Sequence, residues 1–183
     1  MSALGYTLSE KERSLARAIY HRDISVREGS QRVLVALRKT YLFQKQCLSV
    51  DVEISNRSSV DLPLRYVSSS LFQFGKNAVD LEFFAITGHE KRALADPESW
   101  KIEEAEALQV RGGVGRESIE LRSDRPFAAH IVHVMEVPPP SPQADPHAPR
   151  EEVFYQGTRV QFGWDLDLRA DSSTIVSLSL HLG

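Results

Sequence analysis

The chain has 183 residues, 42% of them hydrophobic and 26% charged, which suits one domain whose core needs neither disulfides nor metals. Its single cysteine, Cys47, excludes an intramolecular disulfide and begins an apolar segment, so we expect a buried thiol. No charged-then-apolar leader is present and no apolar run approaches the ~20 residues that cross a bilayer, so we expect a cytosolic-type soluble protein.

The net charge of -3 conceals an uneven distribution along the chain. Residues 1–50 carry nine basic and four acidic side chains, or +5, whereas residues 51–183 carry thirteen basic and twenty-one acidic side chains, or -8. A basic arm on an acidic body favours docking onto a nucleic acid, a phospholipid surface or an acidic protein, although a solvated helix face would carry the same pattern.

The N-terminal segment has the pattern of a helix. Ser9 and Glu12 have the spacing of a capping box, which predicts a helix over about 9–21. Its apolar side would be formed by Leu8, Leu15, Ala18 and Ile19. Residues 32–45 suit a buried strand as well as a helix, and their length favours a strand that enters the next one through a hairpin or a bulge.

A strand, a helix and a second strand, predicted in the middle of the chain, would organise the fold. Apolar and polar residues alternate over 47–55, which predicts a strand with one buried face. Asp61 and Pro63 favour a helix start, and Gly75 would end that helix. The helix would bury one face, formed by Leu64, Val67, Leu71 and Phe74. The apolar run within 79–87 predicts a second, largely buried strand.

A charged turn and a short apolar triplet follow the second strand. The triplet Ala93, Leu94 and Ala95 is flanked by charges and a proline, which predicts an exposed loop tip. Residues 98–110 favour a helix capped by Asp96, with an edge strand as the alternative.

Several patterns that often mark ligand sites do not support one here. His130 and His133 lie three residues apart on a predicted strand, so their rings point to opposite faces and cannot chelate one metal ion together. The glycines at 112–115 lack the Lys-Ser/Thr pair that follows a phosphate-binding loop. Asp165 and Asp167 belong to outer strand faces, and the sequence gives no reason to bring two acids together over a cleft. With no common catalytic motif in the chain, we predict no catalytic residue, no metal and no cofactor, and we expect a protein that is not an enzyme.

The C-terminal third combines a proline-rich loop with two clear strands. Six of the nine prolines fall within 138–149, which predicts an extended loop that is either disordered or a docking surface for another protein. Alternation then predicts strands over 158–168 and 174–182, with a hairpin turn at 171–173 between them.

Three segments, in this order along the chain, resemble the matrix proteins of rhabdoviruses. The first is the strand at 50–57 with the predicted helix and the second strand that ends at Gly88. The second is the run from Arg92 to Asp96, which is similar to the family's exposed apolar loop. The third is the proline-rich loop that leads to the aromatic, glycine and threonine residues of 154–158. The budding motifs Pro-Pro-x-Tyr and Pro-Thr/Ser-Ala-Pro are missing and the arm is only mildly basic, so the plant-infecting members match better than the animal-infecting ones.

The resemblance implies an α+β fold: a single compact domain with a mostly antiparallel sheet, one central strand-helix-strand unit and a basic, partly helical N-terminal segment at 1–45. The globular part would occupy 46–183 and carry the proline-rich loop at 137–150. The resemblance further implies a non-enzymatic viral matrix protein that self-associates, binds the nucleocapsid, the anionic inner face of the envelope membrane and a glycoprotein tail, and drives virus assembly and budding. Such a protein would lie in the virion between nucleocapsid and envelope, and in the host cytoplasm and membranes, and would take no small-molecule substrate.

The residues assigned to these roles come from the basic arm and the two loops. Membrane or nucleocapsid binding is assigned to Lys11, Arg13, Arg17, Arg22, Arg32, Arg38 and Lys39. Self-association is assigned to Ala93, Leu94 and Ala95, and docking of another protein to Pro138, Pro139, Pro140 and Pro142. The alternatives are a β-sandwich binding module of lectin-like or pore-forming type, a viral coat or movement protein, and an enzyme whose catalytic residues converge from distant loops.

Overall fold

The computed structural model describes residues 7–12, 16–28, 31–73, 81–94, 99–112, 117–136 and 154–183. Within these ranges the regular elements are β-strands, and their pairings are antiparallel. The strands are β1 (Thr7–Glu12), β2 (Arg17–Glu28), β3 (Gln31–Gln44), β4 (Cys47–Asn56), β5 (Leu62–Phe72), β6 (Glu82–Thr87), β7 (Glu90–Leu94), β8 (Ser99–Gly112), β9 (Glu117–Glu136), β10 (Phe154–Leu168) and β11 (Ser173–Leu182). Across the same ranges there is no helix with the length and hydrophobicity that a membrane crossing needs.

The α+β prediction is wrong, since the described residues form an all-β structure. In place of the helix predicted over about 9–21, the structure has the end of β1 and the start of β2, which pair with each other. Residues 13–15 lie outside the described ranges. The division predicted after residue 45 falls in the hairpin turn between β3 and β4, so the described part of the basic arm continues the same sheet.

The helix predicted over 61–75 is β5, as far as the described residues extend. Along this strand Leu62 and Tyr66 are buried, whereas Val67 and Leu71 are 51% and 61% exposed. The three-residue step from Leu64 to Val67 therefore joins opposite faces of the strand, whereas the four-residue step from Val67 to Leu71 stays on the exposed face. Pairing with β10 from one end of β5 to the other supplies the backbone hydrogen bonds that a helix would have satisfied internally.

Most strand predictions are confirmed. The strands predicted at 47–55, 158–168 and 174–182 are β4, β10 and β11, the second strand of the central unit is β6, and the ambiguous residues 32–45 form β3. Residues 98–110 were assigned to a helix, but the described part belongs to β8. This matches the alternative of a strand, although β8 lies between β6 and β9 and not at an edge of the sheet.

Strand β9 divides the sheet into two layers. Residues 119–123 of β9 pair with β11, whereas residues 128–136 pair with β10. The larger layer has the order β1-β2-β3-β4-β11-β9-β8-β6-β7. The smaller layer contains β5, β10, the second half of β9 and the first half of β8. The two layers enclose one hydrophobic core, so the fold is a β-sandwich.

The core is built on the alternation of β10. One face of this strand is buried, as its sequence predicts, and is formed by Val160, Phe162, Trp164, Leu166 and Leu168. Phe127 from β9 lies edge-on to Phe162, with 5.3 Å between the ring centroids, and Tyr66 from β5 stacks on Trp164 at 5.8 Å. Because one face of β10 is buried in the core, the opposite face of the smaller layer is exposed to solvent.

Polar side chains take over hydrogen bonding where β9 leaves β11. Asp124 Oδ1 accepts a hydrogen bond from the backbone N–H of Ser177 at 2.9 Å. Arg125 Nη2 donates to the carbonyl of Ile175 at 2.7 Å. Trp164 Nε1 donates to Ser123 Oγ at 3.2 Å in the buried interior. These side chains form hydrogen bonds with polar groups that do not pair with a neighbouring strand, and so they stabilise the bend in β9.

The turn predicted as a hairpin at 171–173 joins the two layers instead. β10 pairs with β5 and β9, whereas β11 pairs with β4 and β9. Asn56, which is only 2% exposed, ties this turn to the end of β4. Its Nδ2 donates to the carbonyls of Val60, Leu168 and Arg169, at 2.8, 3.3 and 3.1 Å.

Candidate functional site

The solvent-facing side of the smaller layer carries a cleft of about 460 Å³, which we call the outer-face cleft. Its floor is a row of small or apolar residues on three neighbouring strands. Gly163 of β10 lies opposite Val67 of β5 on one side and opposite Ala128 of β9 on the other. Small side chains at these positions leave a depression in a surface that larger side chains would fill.

A polar row lies beside this floor. Gln161 of β10 is opposite His130 of β9, and His130 is opposite Lys101 of β8. Neighbouring strands are about 4.8 Å apart, so the three side chains span about 10 Å across the cleft. Glu103, two residues beyond Lys101, also lines the cleft. The strand register thus places an amide, an imidazole, an ammonium and a carboxylate around one depression.

Arg65 and Asp165 lie opposite each other on β5 and β10, at the other end of the cleft. Their closest charged atoms, Nη1 and Oδ2, are 3.7 Å apart, and both side chains are more than half exposed. An ion pair so open to water contributes little to stability, at most about 1 kcal/mol. Both groups therefore keep hydrogen-bonding capacity for a ligand.

Gly163 lies directly beside the Arg65 guanidinium. A Cβ added to Gly163 would lie 3.1 Å from both Nε and Nη2 of Arg65. Such a contact is tighter than side chains normally make, so the guanidinium would have to move. The absence of a side chain at Gly163 therefore lets the guanidinium lie across the floor of the cleft.

The cleft contains the groups that proton transfer needs. His130 supplies an imidazole, a side chain often used in general acid–base catalysis. Glu103 and Asp165 supply carboxylates, Arg65 supplies a guanidinium and Lys101 supplies an ammonium group. Among the described residues no group of three His, Cys, Asp or Glu side chains is arranged to hold a metal ion. The arrangement suits hydrogen bonding to a polar ligand, and acid-base chemistry on it.

His133 lies on the opposite face of β9, as the spacing of the two histidines predicts. Its Nδ1 is 2.9 Å from Thr158 Oγ1, which in turn is 2.6 Å from the hydroxyl of Tyr155. Its ring also packs edge-on against Trp100, with 5.6 Å between the centroids. Burial lowers the pKa of His133 below its ordinary value and raises the pKa of Tyr155. This histidine therefore belongs to the core, whereas His130 belongs to the cleft.

Among the described residues predicted to bind a membrane or a nucleocapsid, the neighbours Arg38 and Lys39 lie on opposite faces of β3. Arg38 lies 3.4 Å from Glu53 on the outer face of the larger layer. Lys39 points the other way, with Nζ 5.9 Å from the centre of the Tyr66 ring. Arg32 donates to Ser25 Oγ. The remaining residues of the set are Lys11 on β1, Arg17 and Arg22 on β2, and Arg13, which lies outside the described residues.

The predicted apolar loop is a strand where the structure describes it, and the prolines of the predicted docking loop lie outside the described residues. Ala93 and Leu94 belong to β7, so the expected loop tip is a strand as far as it is described, and Ala95 lies outside the described residues. Leu94 pairs with Phe83 and packs against the core, which leaves Ala93 as the exposed member. Pro138, Pro139, Pro140 and Pro142 lie outside the described residues.

Sequence reasoning missed the cleft, although it placed two of its residues correctly. Asp165 was assigned to an outer strand face and His130 to the face opposite His133, and both assignments are confirmed. The signal for the cleft is a pair of small residues, Ala128 on β9 and Gly163 on β10. These small residues identify a cleft only when the register between β9, β10 and β5 is known.

The fold, unlike the sequence, has recognisable neighbours. No family model matches the chain, and no curated protein matches it either. A galactose mutarotase-like protein from Lactobacillus casei ATCC 334 has a similar structure, with a TM-score of 0.63 and 14% identity over 97% of this chain and 73% of that one. A galactose mutarotase related enzyme from Lactobacillus acidophilus follows, with a TM-score of 0.55 and 9% identity over 97% and 71%. A 4-alpha-glucanotransferase from Thermococcus litoralis has a TM-score of 0.59 and 9% identity over 96% of this chain but 22% of its own.

These neighbours correct the interpretation drawn from the sequence. At such low identity they show a shared fold, and that fold is a β-sandwich, not the α+β fold predicted for a matrix protein. The rhabdovirus resemblance is therefore wrong, and the viral function and partners inferred from it are contradicted. The predictions that the chain is not an enzyme and takes no small-molecule substrate are contradicted as well, because proteins of this fold include enzymes named for sugars. The alternative of a β-sandwich binding module agrees better with the structure.

Proposed function

We propose that the protein binds a carbohydrate in the outer-face cleft. The observation that carries this proposal is the convergence of Arg65, Asp165, His130 and Gln161 around a shallow floor on one sheet face. Sugar hydroxyls both donate and accept hydrogen bonds, so they suit a cleft that offers guanidinium and ammonium donors beside carboxylate acceptors. The fold supports the same conclusion, since it is shared with mutarotase-like proteins and with part of a glucanotransferase.

Each part of the cleft has a role in this proposal. The Arg65 guanidinium donates to ring hydroxyls, and Asp165 beside it accepts from them. Gln161 both donates and accepts, and fixes the orientation of the sugar. Val67 and Ala128 present apolar surface to the C–H groups of the ring.

A titration with sugars tests the binding proposal. Galactose and glucose are added to the isotopically labelled protein, and amide shifts are expected to cluster on β5, β9 and β10 around Gly163. In the variant Gly163→Val the added side chain displaces the Arg65 guanidinium, so the affinity should fall about tenfold or more, which is at least about 1.4 kcal/mol. Glu90→Gln on β7, at the far edge of the larger layer, is the matched control and should bind like the wild type. Shifts that avoid the cleft, or no shifts with either sugar, would reject the proposal.

A second candidate function is the interconversion of sugar anomers. Opening a sugar ring requires a base that removes the proton from the anomeric hydroxyl and an acid that protonates the ring oxygen. We assign one of these steps to His130 and the other to a carboxylate of the cleft, Glu103 or Asp165. The specific observation in favour is that an imidazole and two carboxylates line one cleft in a fold shared with mutarotase-like proteins.

Polarimetry on freshly dissolved α-galactose tests this activity. The wild type should reach the anomeric equilibrium faster than buffer alone. His130→Asn should keep binding sugar but lose the acceleration by about a hundredfold, as expected for removal of a general acid or base. A wild-type rate equal to that of buffer would refute the enzyme proposal and leave the binding proposal standing.

A further inference from the structure

The outer-face cleft is the first of three depressions that run end to end along the β5–β10 pair. The second depression, of about 310 Å³, shares Arg65 and Asp165 with the cleft. The third, of about 280 Å³, shares Pro63 and Asp167 with the second. Because neighbouring depressions have residues in common, they form one continuous groove, which we call the β5–β10 groove.

The length of the groove can be read from β10. It extends from Gln161 in the cleft to Arg169 at the end of the third depression. A strand rises about 3.3 Å per residue, so the groove is about 26 Å long. One monosaccharide would fill only a part of this length, whereas several linked rings would occupy it from end to end.

The lining of the groove selects among extended ligands. Its charged residues are of both signs: Asp61, Glu103, Asp165 and Asp167 against Arg65, Lys101 and Arg169. A polyanion such as a nucleic acid would meet more negative than positive groups. A peptide strand would gain most from a row of apolar pockets, but the solvent-facing apolar side chains along the groove are few, chiefly Val67 and Pro63. A neutral chain rich in hydroxyl groups can use both the acidic and the basic residues.

We propose that the β5–β10 groove binds an oligosaccharide, with the Arg65–Asp165 pair at its centre. This inference rests on the carbohydrate binding proposed above and names the substrate class of the same site. One or two sugar rings occupy the cleft beside His130, and the following rings lie over Pro63 and against Asp167. Asp167 is exposed on the outer face of β10 and lines both the second and the third depression.

Calorimetric titration with a length series tests the inference. The probes are galactose and glucose, and the trimers and hexamers of each in α-linked and β-linked forms. At least one hexamer is expected to bind about tenfold more tightly than its monosaccharide, because it adds contacts in the second and third depressions. Asp167→Ala should weaken that hexamer about threefold or more and leave the monosaccharide affinity unchanged, since Asp167 lies beyond the cleft. Gly163→Val should weaken both, and Glu90→Gln should weaken neither.

The possible failures are distinguishable. Monosaccharide binding in the cleft without any gain for a trimer or hexamer would overturn the oligosaccharide inference and leave the proposed function intact. A gain in hexamer affinity that persists in Asp167→Ala would place the additional rings outside the groove and would also overturn the inference. Absence of binding with every probe would overturn the inference and the proposed function together.

Discussion

Removing the Asn56 side chain should lower the free energy of unfolding by more than the small size of this side chain implies. The amide links the turn after β4 to the end of β10, which is 112 residues away in sequence at Leu168. Nδ2 donates to three carbonyls, and Oδ1 accepts from the backbone N–H of Ser58 at 3.1 Å and from its hydroxyl at 2.7 Å. With the side chain only 2% exposed, water cannot replace these bonds in the folded state.

The expected magnitude follows from those contacts. A buried hydrogen bond contributes about 1 kcal/mol net, and the carbonyls left behind by Asn56→Ala carry an additional desolvation cost. Because the three carbonyls share two N–H groups, we expect a loss of about 3–4 kcal/mol in the free energy of unfolding. Asn56→Asp should cost at least as much at neutral pH, since it removes both donors and sets a carboxylate against the same carbonyls.

Urea unfolding followed by the fluorescence of the buried Trp100 and Trp164 measures this effect. Ser59→Ala, at an exposed position in the same turn, is the control and should change the free energy of unfolding by less than about 0.5 kcal/mol. If Asn56→Ala lost less than about 1 kcal/mol with an unchanged urea dependence, the amide would not join the layers as the structure indicates.

Three further predictions concern pH, backbone geometry and the bend in β9. Burial lowers the pKa of His133 below its value in the unfolded chain, so the stability due to its neutral form is fully present above about pH 6.5 and is lost as the pH falls. The melting temperature of the wild type should therefore fall between pH 7 and 5, and that of His133→Gln should fall less. Gly157→Ala should lower the free energy of unfolding in urea by about 1–3 kcal/mol, because a Cβ would lie 2.8 Å from the backbone oxygen of Phe72 and the φ of +157° disfavours a side chain. An unchanged urea midpoint would contradict that geometry. Trp164→Phe should cost about 1–3 kcal/mol, because Ser123 Oγ loses its buried donor, whereas Trp164→Phe combined with Ser123→Ala should cost less than the sum of the two single changes.

The sequence predicts the strands whose two faces differ in chemistry. On β4 and β10 the buried positions are apolar except for Asn56 and Thr158, and most outer positions are polar, so a period of two is visible without knowledge of the partners. On β5 the outer face also carries apolar residues, Val67 and Leu71, and a period of two is no longer evident. The helix prediction over 61–75 failed for this reason. The exposed apolar positions that misled it lie on the face that also carries the cleft.

The site could be predicted only in part, because it depends on register. Asp165 and Asp167 were placed correctly on an outer face, yet a single strand does not reveal what lies opposite. Arg65 reaches Asp165 through a strand pairing that spans one hundred residues of sequence. Contacts of such separation are fixed by the tertiary structure and not by local propensity.

The bend in β9 connects the architecture to the groove. β9 accompanies β10 only as far as the pair Ala128–Gly163, after which residues 164–168 of β10 pair with β5 alone. A two-stranded ribbon twists more strongly than the interior of a sheet, and it leaves one side of β10 uncovered. The second and third depressions lie along this two-stranded section. The division of β9 between two layers therefore also extends the cleft into a groove. A substitution that altered the bend at Ser123 should change the affinity for a long ligand more than the affinity for a monosaccharide.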